Sequence, residues 1–156
     1  MRWTATVDGT EVVAEIEANA TLAEALQLAG VVAVKIACAE GTCGACSVLV
    51  DGHRRLSCVA PAMRLLGARL QTAASLSDGP IAAALVASGG LHCGFCTPGM
   101  VVALHDLAQA ERPPKSVEEL RQRLDANICR CTGYSQLLQG GLAGIDAMIR
   151  QKGQQT

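Results

Sequence analysis

The chain of 156 residues carries 13 basic and 14 acidic side chains for a net charge of −1, a balance that gives no electrostatic reason to bind nucleic acid or an anionic membrane. Only 17% of its residues are charged, and it has one Trp, one Tyr and one Phe; an ordinary soluble domain is about a quarter charged, so this surface is expected to be covered largely by partners. Eight cysteines exceed what packing asks of an intracellular chain and fall short of a disulfide-stapled scaffold, so a bound group is expected to account for them.

Residues 2–7 alternate as a strand, Asp8-Gly9 is a two-residue hairpin signal, and Val12 to Ile16 alternates again, so the chain is expected to open with a β-hairpin. Thr21-Leu22-Ala23-Glu24 reads as a capping box opening a helix to about Ala29, with Gly30 as its stop. After a cysteine-bearing loop, Ser47 to Val50 and His53 to Cys58 form a second strand pair around Asp51-Gly52, and Leu65 to Gln71 is a further strand. Ala73 to Gly79 is small and polar, the expected boundary, and the β pattern does not return.

Four helices are expected beyond it: Pro80 to Ser88; Pro98 to Ala110, with Thr97 as N-cap; Val117 to Asp125, behind a Ser116 to Glu119 capping box; and Tyr134 to about Arg150, with a frayed end from Gln151. Lys35 interrupts the apolar stretch from Val31 to Ala37, and Gly89-Gly90 end the next one, so no run approaches the ~20 residues of a membrane span. Met1-Arg2-Trp3-Thr4 lacks the apolar stretch of a secretory signal. The cysteines are therefore expected in a reducing cytoplasm, where metal ligation is favoured over disulfides.

In the first half the order is Cys38-x4-Cys43-x2-Cys46, with Cys58 twelve residues later, the spacing of a plant-type 2Fe-2S centre. Three thiolates on one short loop must curl around inorganic sulfide, and Gly41 and Gly44 suit that curl because they accept positive φ and turn amides toward negative charge. Buried structural thiols would lie on an apolar stripe, and zinc would favour two separated two-cysteine knuckles; neither matches three cysteines interleaved with Gly41, Gly44, Glu40 and Thr42. In the second half Cys93-x2-Cys96 and Cys129-x-Cys131 are equally compatible, on spacing alone, with a redox pair, half a zinc site or an iron-sulfur ligand set. Each pair directly precedes an expected helix start, and helix N-termini favour thiolates and added negative charge.

The strings Cys38-Ala-Glu-Gly-Thr-Cys-Gly-Ala-Cys46, Cys93-Gly-Phe-Cys-Thr-Pro-Gly-Met100 and Asn127-Ile-Cys-Arg-Cys-Thr-Gly-Tyr134 resemble the small iron-sulfur subunit of molybdenum hydroxylases, the xanthine dehydrogenase, aldehyde oxidoreductase and carbon monoxide dehydrogenase group. The resemblance covers essentially the whole chain. It implies an α+β protein: a plant-ferredoxin-like (β-grasp) domain, residues 1–75, followed by a four-helix bundle domain, residues 76–156. Carried over by motif, Cys38, Cys43, Cys46 and Cys58 would ligate a 2Fe-2S cluster nearer a flavin. Cys93, Cys96, Cys129 and Cys131 would ligate a second, nearer molybdenum. A large subunit would bind molybdopterin and substrate and a medium subunit FAD, in a heterotrimer or a dimer of heterotrimers, with this chain as the electron wire between them.

The family pattern has Gln before Cys93, contacting the pterin, whereas this chain has His92; it is read as a neutral spacer in that niche. Cys131 is the other position implied near the pterin. Phe95 and Tyr134 are expected to shield the second cluster from water, and Arg130 to balance its charge or face a partner. His53 with Arg54-Arg55 reads as a solvated hairpin tip, His105 as a helix-surface residue, and Gly140, Gly141 and Gly144 as a face for close helix packing. No Ser-His-Asp or paired-carboxylate arrangement recommends itself, so the chain is expected to supply no catalytic residue. A free-standing ferredoxin-type carrier and a zinc-stabilised binding module are the alternatives.

Overall fold

In a computed structural model the chain is described over residues 1–154. Strands β1 (Arg2–Val7) and β2 (Thr10–Glu15) pair antiparallel, and β3 (Ser47–Val50) and β4 (His53–Leu56) form a second hairpin. Each closes through an Asp-Gly pair with positive φ at both residues, +50 and +85 at Asp8-Gly9 and +49 and +86 at Asp51-Gly52, the backbone that matches the twist of two-residue hairpins. Strand β5 (Arg69–Gln71) joins the hairpins by running parallel to β1 and antiparallel to β3, giving the order β2-β1-β5-β3-β4.

The expected strand from Leu65 is thus cut short. Ala62–Leu65 is a single 3-10 turn and Gly67, at φ +74, bends the chain before three residues pair. The Ala62 carbonyl accepts from Trp3 Nε1 at 3.0 Å, which makes this turn the floor under the buried indole.

Helix α1 (Leu22–Leu28) begins as expected: the Thr21 hydroxyl accepts from Glu24 N while the Glu24 carboxylate accepts from Thr21 N. Helix α2 (Pro80–Ala87) is capped by Gly79. Helix α3 (Thr97–Gln109) starts one residue early, with Cys96 rather than Thr97 at its cap. Helix α4 (Val117–Arg123) stops before Asp125, and only half of its expected box forms, because Glu119 reaches Lys115 N instead of Ser116 N. Helix α5 (Ser135–Gly153) extends to Gly153, three residues into the segment expected to fray, and Tyr134 is its cap rather than its first residue. Gln155 and Thr156 lie outside the described residues. Among the described residues no helix is long and apolar enough to cross a membrane.

Two apolar clusters result, an α+β arrangement. One lies between the sheet and α1 around Trp3, Leu22, Leu26 and Val48; the other joins α2 to α5 around Leu85, Leu104, Leu120 and Leu138. Strand β3 is buried on both faces, and Leu49 points into the helical cluster while Val48 and Val50 point into the sheet cluster. Arg54, read as part of a solvated tip, is instead a tie between the halves. Its backbone N–H donates to Asp106 of α3 at 3.0 Å and its Nε to Ser47 at 3.1 Å, while His53 and Arg55 stay exposed.

The glycines of α5 do set close packing. A Cβ on Gly144 would stand 2.7 Å from Ile81 Cα, and one on Gly140 2.9 Å from the Ala84 carbonyl. Gly144→Ala meets backbone that cannot swing away and is expected to cost about 1–3 kcal/mol. Gly153→Ala, with open space around it, is expected to be neutral or slightly stabilising; thermal unfolding of the two variants beside the parent checks both.

Candidate iron-sulfur centres

The first cysteine set is built by a loop without regular structure between α1 and β3. Positive φ values of +57 at Ala39, +82 at Gly41 and +72 at Gly44 coil it, so three cysteines of one loop converge on one side. Cys58 arrives from beyond β4, and the free amides at the start of α1 strap that segment down: Leu22 N donates to Ala60 O at 2.7 Å and Ala23 N to Ser57 O at 3.0 Å. Cys46 and Cys58 are buried, while Cys38 and Cys43 lie at the rim.

The thiols act on one another here: Cys43 on Cys38, and both Cys46 and Cys38 on Cys58. The Glu40 amide, the Thr42 hydroxyl and amide and the Cys43 thiol pull the Cys38 thiol down to about 5. Burial, then the Cys46 thiol, pushes Cys58 up to about 11, against a hydrogen bond from the Gly41 amide.

The second set stands where two helices begin. Cys96 caps α3, and Cys129 and Cys131 lie just before α5. The Cys93 and Cys131 sulfurs are 3.6 Å apart, and Cys96 lies beside Cys129 and senses Cys93. Burial and the Cys129 thiol push Cys96 up to about 12. Burial also raises Cys129, but hydrogen bonds from Thr132 and from the Cys131 amide outweigh it and leave the thiol below its ordinary range. The Phe95 amide and the Cys131 thiol lower Cys93, and the same contact raises Cys131.

The four sulfurs open into a cavity of about 180 Å³ that Cys43 of the first set also lines. Four thiols per set suit a two-iron core, which takes two thiolates on each iron. The donor chemistry fits as well, since several sulfurs already receive N–H and O–H groups that favour the thiolate.

The two sets meet directly. Ile128 N donates to the Cys43 carbonyl at 3.0 Å. Asn127, buried, presses its amide on Gly44, where a Cβ would come within 2.5 Å of Nδ2, and donates to Gly99 O at 3.4 Å. Gly99 in turn lies so close to Gly44 O and Ala45 that no side chain fits.

Asn127 enters the sequence analysis only as the first residue of a motif string, and the junction it wedges is missing there; the available signal was a glycine in the first turn of α3, where helix formation does not ask for one. His92 and Arg130 are exposed, as is Cys131. Phe95, expected to shield, is 47% exposed and stands at the rim of the cavity. Tyr134 does border the set, but through its hydroxyl, which bonds the Asn127–Cys129 backbone. His105 is half-buried, not on a free surface. Burial and the nearby Lys152 ammonium lower its pKa, and its Nδ1 pairs with Gln109 at 2.9 Å.

Residues 5–65 match a family described as a 2Fe-2S iron-sulfur cluster binding domain, and residues 70–141 match one described as a [2Fe-2S] binding domain. Each match contains one complete cysteine set, so the class is a protein with two 2Fe-2S binding domains, the first ferredoxin-like. The chain is 36% identical over 143 residues to the nicotine 6-hydroxylase small subunit of Paenarthrobacter nicotinovorans, covering 87% of this chain and 84% of that one. It is 38% identical to the xanthine dehydrogenase iron-sulfur-binding subunit of Escherichia coli O157:H7 over 75% of this chain and 77% of the relative. The crystal structure of quinoline 2-oxidoreductase from Pseudomonas putida 86 superposes with a TM-score of 0.85 at 35% identity, over 96% of each chain. Other relatives are far longer, and the match spans 10% of xanthine dehydrogenase 1 of Arabidopsis thaliana. The chain belongs to the iron-sulfur subunits of the xanthine dehydrogenase-type molybdenum hydroxylases, and is a subunit of an oxidoreductase.

Cys43→Ser is expected to remove or cripple one paramagnetic signal of the reduced protein while leaving the other, and Cys96→Ser to do the reverse; loss of both signals in a folded variant contradicts the partition. In the iron-free chain at pH 7, Cys38, at about 5, is ionised, whereas Cys58 and Cys96, at about 11 and 12, are protonated. Because the thiolate is the nucleophile, mass-spectrometric mapping should find Cys38 alkylated first, with the gap closing as pH rises toward 11.

Proposed function

We propose that this chain is the electron-transfer subunit of a multi-subunit molybdenum hydroxylase, carrying electrons from a molybdopterin centre on a large partner subunit to FAD on a medium one. Cys38, Cys43, Cys46 and Cys58 would hold one 2Fe-2S cluster, and Cys93, Cys96, Cys129 and Cys131 the other. Bound there, each cluster supplies one-electron oxidation and reduction. The observation that carries this reading is the junction: two thiol sets share a hydrogen bond between the Cys43 carbonyl and the Ile128 amide and one cavity wall, as a relay inside one chain requires.

The chain's own residues do the supporting work. Buried Cys46, Cys58 and Cys129 exclude water, and the amides of Glu40, Gly41 and Phe95 hold charge on sulfur. Exposed Cys93 and Cys131 leave the second set open to a partner, and His92 and Cys131 are the residues proposed to meet its pterin. A division at residues 75 and 76, with α2 to α5 as a four-helix bundle, is part of the same reading. So are a cytoplasmic location and a heterotrimer or a dimer of heterotrimers. In this reading the substrate belongs to the large subunit.

Protein purified anaerobically from its native host should elute as a large complex with two further chains. It should carry about four irons and four acid-labile sulfides per copy, two of each for every set of four thiolates, and zinc near zero. A red-brown monomer of 16.1 kDa would instead establish a free-standing carrier, and a colourless zinc protein a binding module.

A further inference from the structure

Tyr134 is the one tyrosine of the chain, and it occupies a backbone position that does not favour it. Its φ is +67 and that of the preceding Gly133 is +61, a left-handed pair in which a bulky side chain is strained and a glycine is not. As cap of α5 it makes no side-chain capping bond. The reason for a tyrosine here therefore lies in what its hydroxyl touches. Tyr134 Oη accepts from Cys129 N at 2.7 Å and donates to Asn127 O at 2.9 Å, which uses its single proton and satisfies the loop on both sides of Ile128.

These bonds fall on the backbone that carries one sulfur and touches the other set, because Ile128 N is the donor to the Cys43 carbonyl. The neighbouring Thr132 acts oppositely. Its Oγ1 donates to Cys129 Sγ at 3.2 Å and accepts from Tyr134 N at 3.2 Å, so one residue supplies a hydrogen to this sulfur while the next takes the residue's own amide hydrogen away. Elsewhere amides are given to sulfur: those of Glu40 and Gly41 to Cys38 and Cys58 in the first set, and those of Phe95 and Cys131 to Cys93 and Cys129 in the second, whereas the Cys129 amide goes to the Tyr134 hydroxyl. Hydrogen bonds to ligand sulfur stabilise the extra negative charge of a reduced centre and raise its electron affinity.

We infer that Tyr134 is a positioning residue for the second thiol set: its hydroxyl holds the Cys129 amide off sulfur and so keeps the electron affinity of that centre below the value the loop would otherwise give. This rests on the proposed function, in which both sets hold 2Fe-2S clusters. Removing the hydroxyl frees the Cys129 amide in the loop that carries one sulfur of the second set and breaks no hydrogen bond to a sulfur of the first.

The test is a redox titration of the intact complex, followed by paramagnetic resonance, with the parent, Tyr134→Phe and site-specific 3-fluorotyrosine at position 134. Ring fluorine leaves the shape nearly unchanged and makes the oxygen a weaker acceptor. In Tyr134→Phe the electron affinity of the second centre should rise about tenfold, about 59 mV for one electron, with the first centre unmoved and the iron content unchanged. Fluorotyrosine should give a smaller shift of the same sign. A second centre that stays put or falls, or two centres that move together, overturns the inference. Should Tyr134→Phe lose iron from the second set, the fluorotyrosine protein decides: no shift there reduces Tyr134 to a structural part. A parent complex without two iron-sulfur signals instead overturns the proposed function, and this inference with it.

Discussion

The contact on which the rest depends is the backbone approach of Gly44 to Gly99, wedged by Asn127. Two cores that share only β3 would otherwise be free to shift against each other, and each carries its own four cysteines. Glycine on both sides lets main chain meet main chain, so the Cys43 carbonyl can accept from Ile128 N at 3.0 Å. Side chains at either position would force the halves apart and lengthen the path between the two sets. The Arg54 contacts to Asp106 and Ser47 add a polar tie on the same side of β3.

Each set solves the problem of gathering four thiols differently. The first uses a loop that coils through left-handed residues and a fourth cysteine strapped to the start of α1. The second uses the starts of α3 and α5, where amides have no intrahelical partner and negative charge is favoured. Both end with four thiols within one another's reach, which suits a two-iron core. They differ in exposure: Cys93 and Cys131 face solvent, whereas Cys46 and Cys58 are enclosed. In the proposed relay, an electron entering at the open set would have a short protein path to the closed one.

Much of this was legible in the order of residues. Both Asp-Gly turns, the Thr21 capping box, the four C-terminal helices and the small-residue face of α5 follow from local rules of a few residues' range. The errors were also local in origin. The strand expected from Leu65 shrank to Arg69–Gln71 because Gly67 turns the chain and only three residues reach both β1 and β3. Arg54 read as solvated because nothing in a hairpin tip announces that α3 will lie against it.

Cysteine spacing and its glycine neighbours pointed to the chemistry of the first set, since thiolate number and loop length constrain what a loop can wrap, whereas spacing alone left the second set open. Which sulfurs pair, which face solvent and which amides reach them depends on contacts between residues far apart, such as Cys93 with Cys131 and Cys43 with Ile128. Those were decided only when the two cores packed, because a hydrogen bond across 85 residues has no local signature and exists only where close packing brings donor and acceptor within 3.0 Å.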